Sequence, residues 1–141
     1  MGRKSVVKGK VFERDVARAF VKVGIYARRM APLQARIGDE VPDVEVTVPT
    51  WRDPLVLGVE CKVAVRPPNP HSCWSQAAAS AGRRIPVVVS RTTGNGCALA
   101  TMRLDDLINL LQVICEQSQV AEVDAIDLAA AAARLGVVAD R

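Results

Sequence analysis

Glu60 and Lys62 stand two apart in the run Val59-Glu60-Cys61-Lys62-Val63. On a strand, that spacing puts both on one face and Val59, Cys61 and Val63 on the other. A carboxylate and an ammonium one pleat apart can share one small site. Asp43 heads an earlier alternating run, where a hairpin partner can bring it beside Glu60. Two carboxylates converging on one point repel each other unless a hard cation sits between them. Oxygen ligands of this kind suit Mg²⁺, with Mn²⁺ as a substitute. A lysine beside them can orient or help deprotonate a water, and can offset charge developing on a phosphate. Glu13 is the fourth member of the set: at about 100° per residue it lies roughly 20° beyond Phe20, at the edge of a helix's apolar arc. Each also has a plainer reading. Glu60 and Lys62 alone read as a salt-bridged exposed sheet face, and Glu13 as a helix-surface acid paired beside Arg14.

The elements that must position these residues are legible as patterns. A helix is expected from a cap at Ser5 to about Val23, stopped by Gly24. Phe12, Val16, Ala19, Phe20 and Val23 form its apolar arc, with Lys10, Arg14 and Arg18 opposite. Ile25 to Arg29 is a short strand pattern, and 30–42 a loop broken by Pro32, Gly38 and Pro42. Asp43 to Val48 alternates strictly, and Leu55 to Val65 completes a hairpin with it. Pro67, Pro68 and Pro70 hold an extended connector, after which Ser72 is expected to cap a helix ending at Gly82. Ile85 to Ser90 is apolar enough for a strand buried on both faces. Thr92 to Gly96 reads as a turn and Cys97 to Met102 as a last strand. Leu104, Leu107, Ile108, Leu111 and Ile114 mark an amphipathic helix, and a final helix is expected from about Asp124 to Gly136. The fold class expected is α/β, a mixed central sheet flanked by helices with a C-terminal helical extension.

The 141 residues suit one domain, with a core over about 5–103 and C-terminal helices over about 104–136. At 50% hydrophobic and 24% charged, the composition is that of a folded globular chain and excludes a disordered one. No apolar run reaches the roughly 18 residues of a membrane span, and no apolar core follows the basic start, so neither a membrane anchor nor a secretory signal is expected. Cys61, Cys73, Cys97 and Cys115 lack close pairing and are expected to be reduced, mostly buried thiols of a cytoplasmic protein. Residues 1–103 carry a net charge of +9 and residues 104–141 a net −5, within a total of +4. Fourteen of the nineteen cations are Arg, which favours bidentate phosphate contacts. A basic body points to a polyanion, most simply nucleic acid. Its plainer reading is a solvated basic surface.

In order along the chain stand KGKVFERDVARAF, PDVEV, GVECKV and WSQAAASAG followed by IPVVVS. Together they resemble the PD-(D/E)xK nuclease superfamily, and within it the archaeal-type Holliday junction resolvases. The resemblance covers about residues 8–91. It implies a restriction-endonuclease-like core. It also implies that Asp43 and Glu60, helped by the Cys61 backbone carbonyl, ligate the metal, that Lys62 acts on the attacking water, and that Glu13 serves a second metal or a water. Gln76 matches a polar residue often placed near the lysine; its alternative is an ordinary exposed helix position. Lys8, Lys10, Arg28, Arg29, Arg36 and Arg66 would contact phosphates. The loop before Pro42 departs from the resolvase pattern, having one glycine and no serine. Glu45 shares a face with Asp43, and Asp39 and Glu40 lie just upstream; each could supplement the site or be solvated, and the second is the expectation.

His71 and Cys73 lack the further ligands of a zinc site, and Trp74 is expected to plug the core beneath its helix. The function expected is that of an Mg²⁺-dependent endodeoxyribonuclease, most concretely a Holliday junction resolvase. Its partners would be branched or duplex DNA and a second copy in a homodimer, with no membrane and no small-molecule cofactor. The alternatives are a restriction-, repair- or fork-type nuclease of the same fold, and a DNA-binding module that does not cut.

Overall fold

The computed structural model describes residues 3–31, 41–94 and 96–118. Arg36, Asp39, Glu40 and the helix expected from about Asp124 lie outside the described residues. The chain divides into two compact units, Met1–Leu104 and Asp105–Arg141. In the first, α1 (Arg3–Lys22) is followed by β1 (Tyr26–Arg29), β2 (Val44–Val48), β3 (Leu55–Ala64), α2 (Pro70–Ala81), β4 (Ile85–Thr92) and β5 (Leu99–Thr101). The sheet runs in sequence order, β1-β2-β3-β4-β5. All neighbours are antiparallel except β3 and β4, which are parallel and joined through α2. This is an α/β arrangement, a mixed central sheet with flanking helices, as the sequence patterns lead one to expect.

One face of the sheet packs on α1. Phe12, Val16 and Ala17 meet Val44, Val46, Leu57, Val59 and Val87 in the main core. Val44, Val46 and Val59 are fully excluded from water. Each such valine stabilises the fold by about 2 kcal/mol relative to exposure. The helical arc is rotated from the one expected: Ala17 is buried, while Ala19 and Val23 face solvent. Nor does α1 wait for Ser5; it begins at Arg3 and ends before Gly24, whose φ of 83° reverses the chain at no steric cost.

The other face packs on α2, whose cap differs from expectation. Asn69, not Ser72, is the N-cap; its side-chain oxygen accepts from the N–H groups of His71 and Ser72, and Pro70 opens the helix. Asn69→Ala is expected to lower stability by about 1 kcal/mol, readable as a shifted urea midpoint.

Gly58 sets how closely α2 approaches. A Cβ there would come within 3.3 Å of both the Ala81 Cα and the Arg84 Cβ. The backbone atom cannot retreat without moving the helix. Gly58→Val is expected to overpack this contact and cost about 2 kcal/mol in chemical denaturation.

Two further expectations change. Of the four cysteines, all free thiols, Cys97 and Cys115 are exposed and only Cys61 and Cys73 are partly buried. The last strand shortens to three residues at the sheet edge. The helix over residues 104–118 is present, with Leu104, Leu107, Ile108, Leu111 and Ile114 exposed along it. Among the described residues no helix is long and apolar enough to cross a membrane.

Candidate active site

The β2–β3 hairpin builds the site. Its register pairs Val44 with Val59, so Asp43 stands one step beyond, level with Glu60. Pro42 is fully buried and fixes the approach of the chain. Asp43 is then pinned from two sides. Its carbonyl accepts the Met30 N–H at 2.9 Å, and its Oδ2 accepts the Cys61 N–H at 2.8 Å. The carboxylate therefore reaches across to the backbone between Glu60 and Lys62.

Glu60 and Lys62 share the α2-side face of β3, as the pleat requires. Lys62 Nζ donates to Glu60 Oε1 at 2.7 Å. The residue Glu60 is 8% exposed, and the Lys62 side chain keeps 27% of its surface open. The lysine tip thus stays within reach of a ligand while the carboxylate is sheltered.

Glu13 stands on α1, which covers the opposite face. There Arg29 grips one carboxylate oxygen twice, through Nε at 3.0 Å and Nη2 at 2.5 Å. Arg29 pairs with Val44 in the sheet, which places this ion pair at the same end as Asp43. Cys61 links the groups. Burial drives its thiol pKa far upward, and the charges of Asp43, Glu13 and Glu60 push it further against the weaker pull of Lys62. The thiol stays protonated and is no nucleophile or soft ligand. Cys61 contributes through its backbone, whose N–H holds Asp43.

The structure thus gives each of the four acid and base candidates a partner. Asp43 is held to Cys61, Glu60 to Lys62 and Glu13 to Arg29. Among the described residues, no group of three or more His, Cys, Asp or Glu side chains is placed to hold a metal ion. The donor set suits Mg²⁺ in kind: that ion is ordinarily held by one or two carboxylates and completed by water and phosphate oxygens. Gln76 is exposed on α2 and makes no hydrogen bond to Lys62.

The cations divide into two groups. Lys8 and Lys10 on α1, and Arg66 after β3, are exposed. Arg28 and Arg29 have internal partners instead, Glu45 and Glu13. Glu45 corrects the expectation of a solvated acid. It is 8% exposed and held from both sides, by Arg28 Nε at 2.9 Å and Arg84 Nε at 2.7 Å. Sequence reasoning missed Arg84, which lies 39 positions away and has no local signature. The nearest signal was Gly58, directly opposite Glu45 in the ladder and beneath Arg84.

Comparison with solved structures finds a similar chain. That structure is Hjc, a Holliday junction resolvase from the archaeal hyperthermophile Archaeoglobus fulgidus. The identity is 21%, the TM-score 0.47, and the match covers 67% of this chain and 72% of that one. No family model and no curated protein matches the chain.

Proposed function

We propose that the chain is a metal-dependent DNA endonuclease that cuts phosphodiesters by water attack, with four-way junctions as its substrate. One observation carries the chemistry. Asp43 is anchored on the backbone of Cys61, level with Glu60 and beside Lys62. The preference for branched DNA rests on the order and spacing of the motifs over about residues 8–91.

In this reading Asp43 and Glu60, with the Cys61 carbonyl, hold Mg²⁺, and Glu13 supplements them. The ion supplies Lewis-acid polarisation and charge compensation at the phosphate. The residues do the rest. The Cys61 N–H holds the Asp43 carboxylate in place. Lys62, resting on Glu60, is poised to turn toward the attacking water or the phosphate. Lys8, Lys10 and Arg66 bring the DNA backbone to this edge, and Arg28, with its side chain 55% exposed, adds to that surface. A two-fold dimer would offer two sites for paired cuts, and the apolar stripe of 104–118 is the surface proposed for that contact.

A second reading draws on the ion pairs themselves. Lys62 and Arg29 already neutralise Glu60 and Glu13, as they would in a DNA-binding module that does not cut. Incubation with labelled duplex, flap, fork and four-way substrates, in Mg²⁺ and in EDTA, separates the two. Paired nicks flanking the branch point in Mg²⁺ alone are expected. Binding without cleavage in either buffer would leave the module, and cleavage of plain duplex at a fixed sequence would favour a restriction-type enzyme.

A further inference from the structure

Beside Lys62 a cavity of about 400 Å³ opens between the first half of α1 and the end of β3, lined by Lys8, Gly9, Lys62 and Val63. A second, of about 430 Å³, adjoins it along Val7, Val11, Val63 and Arg91. The two share Lys8, Val63 and Thr93, so they form one continuous groove. Its far end has an apolar floor of three valines and cations at the rim. The groove is preformed: the Thr93 N–H donates to the Ala64 carbonyl at 2.8 Å, tying the end of β4 to the end of β3. Arg91 is held 4.6 Å above the Phe12 ring, which fixes its guanidinium beside the valines.

We propose that this groove receives one unpaired nucleotide of the bound DNA, its base on Val7, Val11 and Val63 and its phosphates on Lys8 and Arg91. The choice of a nucleotide over another flat anion rests on the nuclease reading, with Lys62 among the residues that line the groove. Paired duplex does not fit the same chemistry. Its bases are stacked away from the surface, and its phosphates would meet the rim cations while leaving the valine floor wet. An unstacked base removes that floor from water, and a positively charged rim can track its backbone without sequence choice. The volume is that of a small-molecule site. The enzyme would therefore engage DNA that is open, or opened, by one nucleotide.

The test is fluorescence anisotropy in EDTA with three labelled DNAs: plain duplex, the same duplex with a short single-stranded gap, and single strand. Wild type is expected to bind the gapped and single-stranded forms about tenfold more tightly than duplex. Val7→Trp and Val11→Trp fill the groove from exposed positions and should abolish that preference while leaving duplex affinity unchanged. Equal affinity for all three DNAs, or an intact preference in both folded variants, would overturn the proposal. Cleavage in Mg²⁺ is scored separately. Cutting without the preference removes the groove and keeps the nuclease. The preference without cutting on any substrate removes the nuclease and keeps a nucleotide-binding groove.

Discussion

Asp43→Asn is expected to reduce DNA cleavage by at least about a hundredfold while junction binding and thermal stability stay near wild type. The reason is geometric. The Asn side-chain oxygen can still accept the Cys61 N–H, so the hairpin keeps its register. Only the negative charge is removed. Lys62→Ala should lose a comparable factor for the opposite reason, since it takes away the cation that donates to Glu60 Oε1 at 2.7 Å. Neither side chain lies in the apolar core, so neither change should unfold the chain. Single-turnover cleavage of a labelled junction, read with gel-shift binding of the same variant, checks both. Wild-type cleavage in either variant would remove that residue from the site.

Glu45→Ala is expected to cost about 3 kcal/mol of folding stability. The carboxylate is buried between two guanidinium groups, and its loss strands Arg84, whose side chain is 26% exposed, over Gly58. The exposure of Arg28 and Arg84 keeps the figure at the low end for a broken buried pair. The same pair makes stability depend on pH. Burial pushes the Glu45 carboxyl upward, but hydrogen bonds and charge from Arg84 and Arg28 together outweigh it, so the pKa lies below the ordinary 4.5. The folded state therefore keeps this proton off at pH values where the unfolded chain takes it up. The contribution is complete above about pH 4.5 and is lost as the pH falls toward the lower folded value. Urea midpoints of wild type and Glu45→Gln should be well separated at pH 7 and converge in acid. A separation that stays constant from pH 7 to pH 3 would contradict the assignment.

The two acids of the hairpin differ in how far the sequence disclosed them. Glu60 and Lys62 share a face because the strand period is two, and Asp43 reaches them because a short hairpin fixes register; both are local rules. Glu45 obeys the same alternation, yet solvent exposure does not follow from it. The face it occupies is covered by α2, and the cation that balances it comes from beyond that helix. A pairing across 39 positions leaves no periodic trace. The rotated arc of α1 is a similar case: which of Ala17 and Ala19 is buried depends on how the helix lies across β1 to β3, not on its own spacing. The cap of α2 was readable but misplaced, since Asn69 before Pro70 offers the same oxygen as Ser72 three residues earlier. For Arg28 and Arg29, charge alone suggested phosphate contacts, and only the fold shows their carboxylate partners.

Crystals of the protein with a four-way junction and Mn²⁺, measured at the manganese absorption edge, address the central claim most directly. An anomalous peak within ligand distance of both Asp43 and Glu60, close to a DNA phosphate, is the expected result. Saturating Mn²⁺ with no peak there, and with the Glu60 and Lys62 ion pair unchanged beside bound DNA, would contradict a metal-dependent site.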